Sequence, residues 1–364
     1  MALLTDIEWG EPLLPIVDDP AWKAEVASRG GLPSATIDLR TAPLPWLREY
    51  CFSARTYFYS LTAMPDHLFP LVAMVVAQEN ACRYCYGSAR VRMKMIGFTD
   101  EMIDRIERNV QLVEAEPRER ELVQFARNLA RSKPRPARQA REKMKEIGFT
   151  AEQTAELAMA VAVVGFCNRV STLLAMPPEM EMEQEGSKAK GIWNKLSAWL
   201  PGKRPELKFP APDYPPPTFK GPYGNLVRSL DGTPSAPVLE HMLNGAFSSD
   251  VLPRRTLSLI FAVVAHTLQC EICETGAAEL LDVEGFARGD LGEVLETLTS
   301  PRLTEMEALI IPWARDTVWM PEQPKHIQTR TRPLLDALGP KVLVEAVGAA
   351  ALANSCVRLT MLQV

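Results

Sequence analysis

A chain that repeats itself folds as two like units, and a shift of 188 positions, the distance from Cys82 to Cys270, lays this 364-residue sequence on itself. At that shift Pro65 meets Pro253, Val75-Val76-Ala77 meets Val263-Val264-Ala265, and Cys82 and Cys85 meet Cys270 and Cys273. Ala89 then falls on Ala277, Gly97-Phe98 on Gly285-Phe286, Ala126-Arg127 on Ala314-Arg315 and Pro136 on Pro324. Toward the end the register is expected to slip slightly, with Asn168 in GFCNRV matching Asn354 in LANSCV.

Each unit reads as a helix bundle of roughly 110–120 residues, an ordinary domain size. Apolar residues recur at three- and four-residue intervals in TDEMIDRIERNVQLV, ERELVQFARNLARS and AEQTAELAMAVAVVGFCNRVSTLLAM, and strand-like alternation is scarce. Gly97, Gly148, Gly285 and Gly339 stand where helices should stop. The expected organisation is an N-terminal arm (1–42), a first helical domain (43–182), a linker (183–234) and a second helical domain (235–364). Prolines at 205, 210, 212, 215, 216, 217 and 222 forbid a helix in the linker and favour an extended strap. Just before it, Ile192, Trp193, Leu196, Trp199 and Leu200 form a helical stripe among lysines. Such a stripe can lie on a membrane, but packing against its own or a neighbouring subunit is the commoner meaning.

The formal charge of −5 gives no basic footprint for nucleic acid. The first twenty residues show neither a basic start nor a long apolar run, so a cytoplasmic protein is expected. Runs such as LFPLVAMVVA fall short of the roughly 20 residues that span a bilayer.

Seven cysteines, two pairs as Cys-x-x-Cys with Cys51, Cys167 and Cys356 alone, do not make a secreted disulfide framework. The apolar helix before Cys82 should end near Glu79-Asn80 and a new one begin around Cys82, placing both thiols in a first turn. Unpaired N–H groups there favour thiolate, and the three-residue spacing puts both sulfurs on one face. One zinc shared by two pairs so far apart, without Gly/Pro-rich knuckles, is disfavoured. Burial as small apolar residues accounts for one pair more readily than for two.

VAMVVAQENACRYCYGSA, the following MIGFTDEMIDRI, and GFCNRVSTLL resemble the alkyl hydroperoxidase D and carboxymuconolactone decarboxylase superfamily, well over 64–178 and more weakly over 250–364. The resemblance implies an all-α protein of two tandem alkyl hydroperoxidase D-like bundles joined by the Pro-rich linker. It also implies Cys85 as peroxidatic thiolate and Cys82 as resolving thiol, though the first-turn argument favours Cys82 as the lower-pKa group. The family's relay histidine, four residues after the second cysteine, is replaced by Ala89 and Ala277, and its glutamate, about twelve before the first, by Pro70 and Ser258. Glu79 is the proposed substitute base, with Tyr84, Tyr86 and Arg90 as assistants.

In the second copy His266, Cys270 and Cys273 would share a face if the helix ran on unbroken, and Glu271 and Glu274 should raise the thiol pKa. The first copy is therefore expected to be the more reactive. The leading function is a thiol-dependent peroxidase or disulfide oxidoreductase without metal or organic cofactor, acting on a small peroxide or disulfide and reduced by a thiol or dithiol carrier. The alternative is a catalytically silent helical scaffold or small-ligand-binding protein. The superfamily's decarboxylase or lactone branch does not normally need a cysteine pair. Family members are typically trimers or hexamers of single domains, which implies a homotrimer here, with a dimer as second choice.

Overall fold

The computed structural model describes residues 3, 6–29, 35–57, 63–64, 68–108, 117–131, 137–177, 213–318 and 323–361. The tryptophan-bearing stripe around Trp193 and Trp199 and the linker up to residue 212 lie outside the described residues. Among the described residues the regular structure is helical: α1 (Pro20–Ser28), α2 (Thr36–Arg40), α3 (Pro45–Tyr57), α4 (Leu68–Glu79), α5 (Arg83–Met95), α6 (Asp100–Arg108), α7 (Pro117–Ala130), α8 (Ala137–Glu146), α9 (Ala151–Leu173), α10 (Gly224–Arg228), α11 (Ser235–Phe247), α12 (Arg254–Thr267), α13 (Glu271–Val283), α14 (Arg288–Thr297), α15 (Glu305–Asp316) and α16 (Lys325–Thr360). The protein is all-α.

The 188-residue shift carries over to the helices. α5 and α13 begin and end in register, and α6 with α14 and α7 with α15 begin in register. α16 is two helices joined at Gly339 (φ 77°), taking the places of α8 and α9. The recurring Gly-Phe pairs have a local cause. Gly97, Gly148 and Gly285 adopt left-handed φ just past a helix end. The next N–H then reaches back to close the turn, as Phe98 to Met93, Phe149 to Met144 and Phe286 to Leu281, at 2.9–3.0 Å. Each phenylalanine plugs its helix end against the core.

α9 and α16 make the most extensive helix contact of the molecule. Both are long and apolar enough to cross a membrane, yet 89% and 94% of their most apolar stretches are buried inside the protein, which makes them core helices. They also carry charges inward. Glu156 accepts the Ala63 N–H at 3.0 Å, and Glu345 accepts the Leu252 N–H at 2.9 Å. Arg169 donates to the Val318 carbonyl at the end of α15, and Arg358 donates to the Leu129 and Arg131 carbonyls at the end of α7. These pairs set the register of the last helix at 189 residues, Glu156 with Glu345 and Arg169 with Arg358. The expected match of Asn168 with Asn354 is corrected accordingly: the slip runs the other way, and Cys167 is the counterpart of Cys356.

The N-terminal arm wraps both halves. Trp9 Nε1 donates to the Met176 carbonyl past α9, and Gly10 N–H donates to Gln328 Oε1 in α16. Ile7, Leu13, Leu14, Ala35 and Ile37 are buried in the same continuous core as α4, α9, α12 and α16. The described end of the strap ties α3 to the second half through Tyr214, which bonds Ser53 (2.6 Å) and Glu49 (3.2 Å), while Glu240 accepts the Thr218 and Phe219 N–H groups.

Because a Cβ at Gly285 meets nothing within 4 Å, its constraint is purely its φ of 74°. Gly285→Ala is expected to destabilise by about 1–2 kcal/mol, read as a lower urea midpoint at unchanged m-value.

Candidate active site

α4 is apolar on nearly every side and buried from Leu68 to Gln78, so it threads the core and must end abruptly to release the chain. It ends in a left-handed Ala81 (φ 48°), with Ala81 N–H bonded to Gln78 O and Cys82 N–H to Ala77 O. α12 ends identically at Gln269 (φ 58°), with Gln269 N–H to His266 O and Cys270 N–H to Ala265 O. This six-residue lock places the first cysteine of each pair as the N-cap of α5 or α13 and the second three residues on, in the first turn. A non-glycine residue in that conformation costs about 1–2 kcal/mol, so the same strained bend precedes both pairs.

In the first half Cys82 is fully buried and its sulfur accepts the Cys85 N–H at 3.4 Å. Burial, with Cys85 beside it, pushes the Cys82 thiol well up. Burial also opposes the Cys85 thiolate, but hydrogen bonds from Cys82, Ser171 and Asn168, with the charge of Arg92, prevail and hold it below the ordinary thiol range. Ser171 Oγ lies 3.6 Å from Cys85 Sγ, and Asn80 Nδ2 fastens Asn168 Oδ1 at 2.9 Å. Cys85 opens into a cavity of about 60 Å³ with a largely apolar wall that includes Phe69, Ala73, Ala89 and Val164. Tyr84, Ser88, Arg92, Cys167 and Asn168 add polar or reactive groups, and Ala35 and Ile37 of the arm close one side.

The second half inverts the roles. Cys270 is the partly exposed thiol and Cys273 the buried one. Thr360 Oγ1 sits 3.0 Å from Cys270 Sγ and 3.8 Å from Cys273 Sγ. Hydrogen bonding from Cys273 leads, and with Thr360 and the N–H groups of Cys273 and Ile272 it outweighs desolvation to lower Cys270 to about 6. Cys273 is pushed well up by its bond to Cys270 and by burial. Glu271 and Glu274 are expected to raise the second pair's thiols; Cys273 is raised, by Cys270 and burial, whereas at Cys270 groups that hydrogen-bond the sulfur directly prevail. The strap covers this pair, with Tyr223 Oη donating to the Cys273 carbonyl at 3.5 Å and its ring stacked on Phe261.

The remaining expected residues are placed as follows. Tyr84 lines the cavity. Tyr86 is buried against Glu107 and Arg90, with its phenol pushed up by burial. Arg90 pairs with Glu107 and, at 3.3 Å, with Asp104, so it braces α5 on α6. Glu79 gives one carboxylate oxygen to Arg127 Nε (2.9 Å) and the other to Arg131 Nε (3.1 Å), tying α4 to α7. His266 does not continue into the cysteine helix, because the chain bends at Gln269, and its Nδ1 meets Glu274 at 3.0 Å. Sequence reasoning missed Arg92, Ser171 and Thr360, and it left Cys167 and Cys356 unassigned. The shared spacing of Cys167 to Ser171 and Cys356 to Thr360, four residues on a helix, was the available signal. Among the described residues no group of three His, Cys, Asp or Glu side chains is gathered as a metal site. Compared with known proteins, the chain matches no protein-family model and no curated protein.

Two measurements follow from this geometry. Alkylation by iodoacetamide, mapped by peptide mass, should reach half its maximal rate at Cys270 near pH 6, since thiolate accumulates as pH rises through its pKa. An unperturbed thiol would do so about pH 8.5. Glu79→Gln should lower stability by about 1–2 kcal/mol through loss of the α4–α7 ion pairs and leave the Cys85 alkylation rate unchanged, as both carboxylate oxygens are already engaged.

Proposed function

We propose that the chain is a tandem member of the alkyl hydroperoxidase D and carboxymuconolactone decarboxylase superfamily acting as a thiol-dependent peroxidase or disulfide oxidoreductase. One observation carries the reading: Cys85 faces a small cavity while Cys82, fully buried, is held behind it by the Cys85 N–H. A thiolate at Cys85 attacks the distal oxygen of a peroxide, the O–O bond breaks, and the departing alkoxide takes a proton to leave as alcohol or water. The Cys85 sulfenic acid then condenses with the Cys82 thiol, releasing water and forming a disulfide. A thiol or dithiol carrier returns the two electrons by exchange.

The cavity's size and mostly apolar wall suit hydrogen peroxide or a short alkyl hydroperoxide. Ser171, Asn168 and Arg92 surround Cys85 and would serve in place of the family's histidine, whose sequence position is Ala89 on the cavity wall. A cytoplasmic setting, no cofactor, and a homotrimeric assembly with a dimer as second choice complete the proposal. Ala89 and Ala277 also favour the second reading, a helical binding protein that has lost the relay.

Excess hydrogen peroxide should remove two thiols from the first half of the native protein, mapped to Cys82 and Cys85. Cys85→Ser should abolish that loss and reduce turnover with dithiothreitol as donor by about 10²-fold or more. If Cys82 and Cys85 stay reduced under peroxide, the binding-protein reading takes over.

A further inference from the structure

Six of the seven cysteines fall into two equivalent sets once the last helices are aligned by their buried glutamate and arginine. Glu156, Cys167, Arg169 and Ser171 of α9 correspond to Glu345, Cys356, Arg358 and Thr360 of α16. Ser171 and Thr360 each touch a Cys-x-x-Cys sulfur. About one turn earlier on the same helix face stands a further cysteine in both halves, about 6 Å away along the axis. In the first half that cysteine, Cys167, is partly exposed and lines the same cavity as Cys85, whereas Cys82 is closed off from it.

A disulfide between Cys82 and Cys85 would leave a difficult target. One of its sulfurs is fully buried, and the other is reached only by a thiolate that enters a cavity of about 60 Å³. Both Cys85 and Cys167 open on the cavity, so a bond between them is reachable from its mouth.

We propose that Cys167 is a third redox-active thiol, which takes over the oxidised Cys85 and presents a Cys85–Cys167 disulfide in the cavity for reduction. The proposal deepens the thiol-redox reading and rests on it. The Cys167 thiolate attacks the Cys85 sulfur of the Cys82–Cys85 disulfide, the S–S bond breaks, and Cys82 leaves as thiolate and takes up the proton that Cys167 lost. This exchange is electron-neutral. The two electrons given to the peroxide are restored when an external dithiol reduces the Cys85–Cys167 bond. The cavity supplies the room for the two side chains to turn toward one another.

Diamide, which oxidises neighbouring thiols to disulfides without a peroxidase step, tests the pairing apart from the proposed activity. In Cys82→Ser protein it should give a Cys85–Cys167 cross-linked peptide by non-reducing mass mapping, and in Cys82→Ser/Cys167→Ser protein Cys85 should stay alkylatable. If Cys85 and Cys167 both stay alkylatable in Cys82→Ser, where the wild type forms Cys82–Cys85, the inference is overturned. A second measurement avoids the core substitution: oxidised Cys167→Ser should be reduced by dithiothreitol about tenfold more slowly than oxidised wild type, and equal rates sink the idea. A protein that cross-links Cys85 to Cys167 with diamide but loses no thiols to hydrogen peroxide keeps the three-thiol arrangement and discards the peroxidase.

Discussion

The crossing of α9 and α16 is the constraint on which the rest of the molecule depends. Most of α9 and the part of α16 after Gly339, apolar on almost every side, meet at the centre and bury charged side chains along the seam. A buried guanidinium is costly unless its N–H groups find acceptors, and Arg169 and Arg358 find them in backbone carbonyls at the ends of the other half's helices. Burial lowers Arg169 to about 9, and burial together with the Arg169 charge pushes Arg358 well down. Each half thus finishes a helix end of the other. Neither half closes its own polar groups alone, and the hydrophobic core is continuous across both.

From that seam the cysteine turns inherit their positions. Helix α9 carries Asn168 and Ser171 to the start of α5, and α16 carries Thr360 to the start of α13. Against desolvation, hydrogen bonding from the partner cysteine favours one sulfur of each pair as anion, and the hydroxyl on the last helix adds to it. In the second half that hydroxyl lies nearer Cys270 (3.0 Å) than Cys273 (3.8 Å), and in the first it lies 3.6 Å from Cys85. The left-handed residues Ala81 and Gln269 matter for the same reason: they stop the preceding helix so that the cysteine backbone turns toward that hydroxyl.

Much of this was legible in the residues. The Gly-Phe pairs marked helix ends because only one backbone geometry suits them, and the Cys-x-x-Cys pairs marked helix starts because their spacing and apolar prelude recur. The register of the last helix was not legible from periodicity, since a helix buried all round has no polar face to set its phase. Its charged residues carry that information, and only when read as buried partners of backbone groups. The fate of Glu79 was hidden for a similar reason, as Arg127 and Arg131 are 48 and 52 residues away in sequence. The break after His266 carried no glycine to announce it, because Gln269 holds the left-handed position itself.

Two like halves in one chain are free of a restriction that a symmetric dimer obeys. In an assembly of identical chains every substitution appears at both related places at once, so the two sites stay alike. Here Ser171 faces one cysteine pair and Thr360 the other, an alanine bends one turn and a glutamine its counterpart, and the arm covers one pair while the strap covers the second. A single polypeptide can therefore give each thiol pair its own hydrogen-bond partners and its own cover, each inheriting its scaffold from the half that it supports.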